Sequence, residues 1–449
     1  MRIVEEILYS LKKNSNLIAL KIGNREITYR ELDKLSDAAL VWLHSKGVRQ
    51  EASVLIMTKE YQNFIILALA ALKGGITYVP IASEMPNERL SSICFYCNTN
   101  VIITDFDYQG QNFGIYLQFS ESILEFGLSD YTNYYCKPSD DHIIYVIFTS
   151  GSTGIPKGVE ITSKAISNYL SWARDYYDIG IPLVFPVFTS ISFDLSITSM
   201  FLPVLTGGTC ILLNIEDSYE KLGRLSELEV INTMKLTPSH LMILNEMDLL
   251  NMKELKQVIV GGEALKKQVV QQFVSKFNRN IRVINEYGPT EAAVGCMFYE
   301  YSMYDKEDIV PIGNPIDNVS LYILDERGNL ITGEAEGELF ISGDSLAKGY
   351  ANNPLQTGER FFYDNTLHKM LYKTGDVVRR DNLGKYHYIG RVDRQVKLGG
   401  HRIELNEIDF SISQFSKDLS PITIFDSDRN KIITFLKSNI EYSLNKIEK

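Results

Sequence analysis

Apolar residues recur at helical spacing in Ile3 to Leu11, Tyr29 to Lys46 and Tyr61 to Lys73. Between them lie short β-rich runs, Ala52 to Met57, Tyr78 to Ile81 and Val101 to Thr104. Alternation of the two periods predicts α/β layers on a mostly parallel sheet. The same texture returns at Leu183 to Thr189, Gly208 to Leu213, Val258 to Val260 and Arg282 to Asn285, which read as strands separated by amphipathic helices. From Ile312 it gives way to closely spaced strands and turns, such as Val319 to Leu324 and Gly337 to Ser342, the pattern of a β-rich subdomain closing off the large part. A boundary is expected near Asp393, where a strand with a Gly-Arg turn passes into the polar, glycine-containing stretch Arg394 to Arg402.

With 449 residues, 45% of them apolar, the chain can bury a large core, and it carries no internal repeat or low-complexity tract. Its 45 basic and 56 acidic side chains leave a net charge of -11, which argues against a general nucleic-acid or anionic-membrane binder but leaves room for a local anion site. The N-terminal segment carries acids early and lacks the order of a secretory signal, and the longest apolar run, Phe64 to Leu72, is too short to span a bilayer. A cytoplasmic location is expected. Five cysteines are too few for a disulfide scaffold, and Cys94 and Cys97, although spaced as CxxC, have no second pair or nearby histidine to complete a metal site.

Candidate chemistry enters at Phe148-Thr-Ser-Gly-Ser-Thr-Gly-Ile-Pro-Lys-Gly158, which follows the apolar run Ile143 to Ile147. Its glycines let backbone amides point into one cavity, and Thr149, Ser150, Ser152, Thr153 and Lys157 surround them with donors, a combination suited to phosphate oxygens. It is not a P-loop, because Pro156 precedes Lys157 and Val159 to Ile161 reads as a continuing strand instead of a helix. An ordinary Ser/Gly-rich turn is the bland alternative, and the density of special residue types weighs against it.

This string resembles the phosphate-binding signature of the adenylate-forming superfamily, which includes the adenylation domains of nonribosomal peptide synthetases, acyl-CoA ligases and luciferases. Further strings agree in order: Ile27-Thr-Tyr-Arg-Glu-Leu32, Leu72-Lys-Gly-Gly-Ile-Thr-Tyr-Val-Pro-Ile81, Asn285-Glu-Tyr-Gly-Pro-Thr-Glu291, Gly337-Glu-Leu-Phe-Ile-Ser-Gly343 with Gly349-Tyr350, Tyr372-Lys-Thr-Gly-Asp376 and Gly390-Arg-Val-Asp-Arg-Gln-Val-Lys397. The resemblance implies ATP held by Thr149, Ser150, Gly151, Ser152, Thr153, Gly154 and Lys157, with Tyr287 stacked on adenine and Asp376 on the ribose hydroxyls. It also implies Arg391 reaching the nucleotide, Thr290 contacting phosphate, Glu291 holding Mg2+, and Asp393 serving as hinge. A hard cation does prefer such oxygen ligands. The implied fold is α/β: a large multi-subdomain core over residues 1–392, of two α/β layers plus the β-rich subdomain, with a small α+β domain over 393–449 that is shorter than the family's, being either naturally reduced or part of a fragment.

Phe193-Asp-Leu-Ser-Ile-Thr198 falls where amino-acid-activating members carry an aspartate for the substrate ammonium, so Asp194 favours an amino acid over the fatty or aryl acids of other members. For an isolated buried aspartate the competing role is a helix cap or turn. The other pocket positions fall on Leu195, Thr198, Lys235, Ile259, Gly261, Glu286, Val294 and Gly295, a set that resembles the pattern of asparagine-activating domains. An ammonium at Lys235 can donate to the amide carbonyl, a carboxylate at Glu286 can accept from the amide NH2, and glycine at 261 and 295 would leave room for both. Aspartate would set its carboxylate against Glu286. A structural salt bridge between Lys235 and Glu286 is compatible with the same residues.

Past Leu405 the family continues further and ends in a catalytic lysine; here 44 residues follow, and Tyr442-Ser-Leu-Asn-Lys-Ile-Glu-Lys449 looks like that ending with its glycine deleted. Lys446 is then the candidate, with a plain solvated tail as the alternative. Gly343-Asp-Ser-Leu346 mimics a carrier attachment serine but falls inside a motif of the large domain, so a peptidyl carrier protein in cis or in trans is the implied partner. The expected activity is ATP-dependent conversion of L-asparagine to its adenylate for transfer to a carrier thiol, without nucleic-acid or membrane partners. The alternatives are a catalytically weak nucleotide and amino-acid binding homologue and an acyl-CoA-type ligase.

Overall fold

The structure is a computed structural model and describes residues 3–108, 114–120, 134–151, 156–277, 280–325, 328–415, 419–426, 429 and 431–438. Its first sheet carries, in spatial order, Gly349–Tyr350, Lys157–Thr162, Ile143–Thr149, Thr77–Pro80, Ser53–Met57, Val101–Thr104 and Ile115–Gln118. The last five run parallel, as the buried apolar runs require, and the first three are antiparallel neighbours. A second sheet orders Thr233–Leu236, Gln257–Gly261, Arg282–Tyr287, Met297–Glu300 and Asn314–Pro315. A third brings Arg25–Thr28 and Ile18–Ile22 beside Thr209–Leu212 and Val184–Val187. The fold class is the α/β one expected, and the β-rich unit expected beyond Ile312 is an antiparallel sheet containing Val319–Ile323, Ala335–Gly343, Lys369–Arg380, Phe361–Asp364 and Tyr386–Arg391.

Local chemistry explains the principal helices. Thr28 opens Tyr29–Ser45 with a capping box closed by Glu31. Tyr61–Gly74 stops where Gly75 turns left-handed at φ 61°. Every residue of that helix is buried, including Lys73, whose ammonium is neutralised by Asp33 and Asp37 at 2.6 Å each. The apolar run inside it is therefore core, and no helix of the described residues is long and apolar enough to cross a membrane. All five cysteines are free, Cys94 and Cys97 being buried.

Two local expectations change. Gly390 and Arg391 do not turn; they complete the strand Tyr386–Arg391, paired to Val377 and Asp376. The stretch Arg394 to Arg402 is not merely polar linker: Gln395–Leu398 and His401–Glu404 form a hairpin. Its two-residue turn is Gly399-Gly400, at φ 60° and 80°, the left-handed pair that such tight hairpins require. After it, the helix Leu405–Phe415 packs on the ribbon Leu419–Asp426 and Lys431–Ser438.

Candidate active site

The phosphate-type loop joins two antiparallel strands, with Phe148 opposite Gly158 and Thr149 opposite Lys157. A side chain at Gly158 would begin 2.7 Å from the Phe148 ring, so the hairpin closes only with glycine there. Ser152, Thr153 and Gly154 lie outside the described residues. Beside them the Thr149 hydroxyl is buried and has no hydrogen-bond partner among the described residues. Lys157 is 5% exposed and has no ion-pair partner among the described residues; its ammonium lies 5.8 Å from the Tyr350 ring. Burial, followed by the nearby Arg402, pushes the Lys157 ammonium down. An orphaned buried donor and an unneutralised buried cation fit an anionic ligand.

Asp194 stands at the start of the helix Leu195–Thr206 with αR backbone, and its side chain caps nothing. Instead its Oδ2 accepts from the Thr290 hydroxyl at 2.7 Å, so Thr290 is turned toward this carboxylate. Burial raises the Asp194 carboxyl, the Thr290 bond opposing it only in part. A buried carboxylate short of a cation is a receptor for one.

Strand register assembles the opposite wall. In the parallel ladder Lys235 is level with Ile259 and Gly261 with Glu286, which puts residues 235, 259, 261, 284 and 286 on one face. The Lys235 ammonium, fully buried, donates to Tyr169 Oη at 2.9 Å, to Thr198 Oγ1 at 2.8 Å and to Glu286 Oε1. Glu286 Oε2 accepts from the hydroxyls of Tyr177 and, at 3.0 Å, Tyr169. Proton counting leaves one consistent arrangement. Tyr169 gives its single proton to Glu286, Thr198 gives its own to Tyr169, and all three ammonium protons are used. The Lys235–Glu286 salt bridge weighed from the sequence is thus present, with Glu286 and Asp194 both lining one small cavity of about 50 Å³ and Lys235 behind them. Tyr169 and Tyr177 were missed: on and just past the helix Ser163–Tyr176 they occupy positions that read as ordinary core.

Both glycines of the wall stand directly against Glu286. A Cβ at Gly295 would lie 2.5 Å from Glu286 Cδ, and one at Gly261 2.8 Å from the Glu286 carbonyl oxygen. They make room for Glu286 itself. Gly295→Ala is accordingly expected to displace Glu286, costing about 1–3 kcal/mol in stability and most of the side-chain selectivity. A thermal melt and a substrate panel indistinguishable from wild type would refute this. Val294 beside it holds φ 73°, a left-handed geometry a β-branched residue adopts only when its surroundings impose it. Leu195 and Val294 line the same cavity; Ile259, fully buried in the strand Gln257–Gly261, does not.

A larger cavity of about 310 Å³ adjoins this one, walled by Gly262, Glu263, Asn285, Tyr287, Ile312 and Tyr388. The Tyr287 ring is part of its wall, with the Lys397 ammonium 5.3 Å from the ring centroid on top. The Tyr287 hydroxyl donates to Asp376, which also accepts from Arg391 Nη1 at 2.5 Å. Arg391 continues to Asp393 at 2.6 and 2.8 Å. Burial disfavours the ionised form of Asp393, but the Arg391 guanidinium outweighs it and holds the carboxyl below its ordinary value. Asp376, Arg391 and Asp393 thus form one chain leading from the cavity to the boundary segment.

Glu291 is fully buried at the meeting point of these elements. Both its oxygens accept from Arg402 Nη1, at 2.8 and 2.9 Å, and Oε1 accepts from Tyr350 at 2.8 Å. Burial opposes its ionisation, yet the Arg402 guanidinium and the Tyr350 hydroxyl bring its carboxyl down to about 2. No group of three or more His, Cys, Asp or Glu suited to a metal occurs among the described residues. A lone ionised carboxylate near hydroxyls fits Mg2+, which is commonly held by one or two carboxylates together with substrate phosphates and water. Lys446 lies outside the described residues.

This fold is shared with solved adenylation domains. The Vibrio cholerae adenylation domain AlmE, solved in complex with glycyl-adenosine-5'-phosphate, superposes with a TM-score of 0.83 at 20% identity over 98% of this chain and 90% of that one. An artificially fused adenylation-PCP di-domain from Klebsiella oxytoca, NpsA-ThdA, gives 0.84 at 22% identity over 97% of this chain and 88% of that one. A family profile described as AMP-binding enzyme matches residues 9–351, and the chain belongs to that family of AMP-forming ligases. Among curated proteins it is 37% identical to bacitracin synthase 3 of Bacillus licheniformis over 430 residues, covering 93% of this chain but 7% of that protein. It is 32% identical to zwittermicin A synthase ZmaJ of Bacillus cereus over 449 aligned residues, covering 96% of this chain and 85% of that protein. The chain therefore spans a small fraction of the large synthases and most of ZmaJ.

Proposed function

We propose that the chain activates an amino acid, L-asparagine, as its adenylate and passes the acyl group to the phosphopantetheine thiol of a peptidyl carrier protein. The observation that carries this reading is one cavity lined by two buried carboxylates with different partners. Asp194 has no ion-pair partner among the described residues and so suits the α-ammonium, while Glu286, already paired with Lys235, suits an uncharged NH2. An apolar acyl substrate would leave both unanswered. Leu195 and Val294 supply the apolar remainder, with Ile259 buried in the adjoining strand, and Thr198 and Gly295 fix the polar pair.

In the first half-reaction a carboxylate oxygen of asparagine attacks the α-phosphorus of ATP, the bond to the bridging oxygen of the β-phosphate breaks, and pyrophosphate leaves. No protein nucleophile is required; catalysis is positioning and charge neutralisation. The loop from Thr149 to Lys157 holds the phosphates, the Tyr287 ring and Asp376 hold the nucleoside, and Asp194 orients the amino acid. Mg2+ bound at Glu291 would neutralise phosphate charge. In the second half-reaction the carrier thiolate attacks the adenylate carbonyl and AMP departs.

Amino-acid-dependent exchange of labelled pyrophosphate into ATP tests this across a panel of twenty amino acids, with asparagine expected to rank first. No exchange with any amino acid would favour a binding homologue, and exchange driven only by fatty or aryl acids an acyl-CoA-type ligase. Residues 1–392 are proposed as the adenylation core and 393–449 as a mobile unit turning at Asp393. Limited proteolysis near Asp393 that ATP and asparagine leave unaltered would count against the motion. Lys446 is proposed to bridge the substrate carboxylate and α-phosphate, so Lys446→Ala should slow exchange at least ~100-fold; an unaffected rate removes it from the site.

A further inference from the structure

The hairpin Gln395–Leu398 and His401–Glu404 is fastened into the cavity at three points. Ser150 Oγ donates to the Arg402 carbonyl at 2.5 Å, the Gly400 amide donates to Glu263 Oε1 at 2.5 Å, and Arg402 covers both oxygens of Glu291. The fit is close: a Cβ on Gly400 would fall 2.6 Å from Thr237 Cγ2 and 2.9 Å from the Phe193 ring. Glu291 has no exposed side-chain surface, and Arg402 retains 14%.

A buried carboxylate stripped of its cation costs several kcal/mol, so Glu291 needs a positive partner in every state of the molecule. A metal ligating the carboxylate would be set beside the guanidinium, which lies 2.8 and 2.9 Å from the two oxygens of a side chain with no exposed surface, so charge repulsion and lack of space oppose holding both cations at once. We propose that Arg402 is a tethered competitor of the metal at Glu291: docking the hairpin delivers the guanidinium and excludes the metal, and metal binding requires the hairpin to withdraw. The same glutamate then serves two cations in turn, and hairpin docking and metal occupancy oppose each other through it. This inference rests on Glu291 being the metal residue.

Competition makes the apparent affinity for metal depend on the undocked fraction. The probe is Mn2+ with α,β-methylene-ATP, protein-bound Mn2+ being read by electron paramagnetic resonance. Arg402→Met should tighten the apparent Kd by about tenfold, because the docked state then leaves Glu291 unpaired. Arg402→Lys should fall between it and wild type. Gly400→Val keeps the guanidinium but blocks docking sterically, and should tighten the complex to a similar extent. AMP, which brings no metal, should bind none of these variants more tightly.

If Glu291→Gln weakens Mn2+ binding while Arg402→Met and Gly400→Val leave it at the wild-type value, the competition is wrong and the metal assignment stands. Should Glu291→Gln have no effect, the metal assignment itself fails. An equal gain in AMP affinity would mean that the variants merely open the cleft, and would also overturn the proposal.

Discussion

Replacing Asp194 with alanine is expected to lower kcat/KM for the amino acid by about two to three orders of magnitude in pyrophosphate exchange, while the KM for ATP changes less than about twofold. Asp194 is 7% exposed, and among the described residues its carboxylate accepts from the Thr290 hydroxyl. A substrate ammonium docking there exchanges water for this carboxylate in a low-dielectric site; removing the carboxylate strands the ammonium, a loss of roughly 3–5 kcal/mol for a buried pair. The loss should fall mainly on KM, because the contact exists before and during attack on the α-phosphorus. Asp194→Asn keeps the shape and the Thr290 contact but not the charge, so it should resemble alanine. Near-wild-type kcat/KM in either variant would show that the ammonium binds elsewhere and would undo the amino-acid reading of the pocket.

Much of the architecture was legible because burial imposes a period. Tyr61–Gly74 and Gln257–Gly261 emerge nearly as expected, since their apolar spacing is the spacing of the surface they cover. Sheet membership was not legible. Ile18–Ile22 lies parallel to Thr209–Leu212, a pairing set by tertiary packing between residues nearly two hundred positions apart. The hairpin at Gly399-Gly400 hid in a polar stretch whose alternation is only four residues long on each side.

The site divides along the same line. Asp194, Glu286, Glu291 and Asp376 could be named because short strings carry them, and Asp194, Glu286 and Asp376 line one cavity with Thr290 and Arg391. What could not be named were the side chains that partner them. Tyr169 and Tyr177 supply hydroxyls to Glu286 from apolar-looking helical positions, and Arg402 reaches Glu291 across 111 residues of chain. For Gly295 the structure names the neighbour: a Cβ there would meet Glu286 Cδ at 2.5 Å.

The second large effect concerns which side chain the pocket accepts. Glu286→Gln should cut the preference for asparagine over aspartate by about 10²–10³-fold, chiefly by raising kcat/KM for aspartate. In the wild-type network the Glu286 carboxylate is paired with the Lys235 ammonium and accepts from the hydroxyls of Tyr169 and Tyr177. A substrate carboxylate entering this pair meets a like charge that nothing is left to neutralise. Glutamine keeps the length, and its one oxygen can accept either from Lys235 or from the tyrosine hydroxyls, the hydroxyls on the NH2 side having to turn their protons away; it releases the ammonium's charge for the substrate. Aspartate then replaces Glu286 as counter-ion, whereas asparagine loses its charged acceptor for NH2. Lys235→Met makes the complementary test: an unpaired Glu286 should repel aspartate more strongly still, and its loss of asparagine activity should exceed that of Glu286→Gln, because a buried carboxylate is left without a cation. Both variants require a melting curve beside the kinetics, since Lys235 is fully buried. If Glu286→Gln folds and still rejects aspartate as wild type does, the pair is a strut of the core, and selectivity must arise at Leu195, Ile259 or Val294 instead.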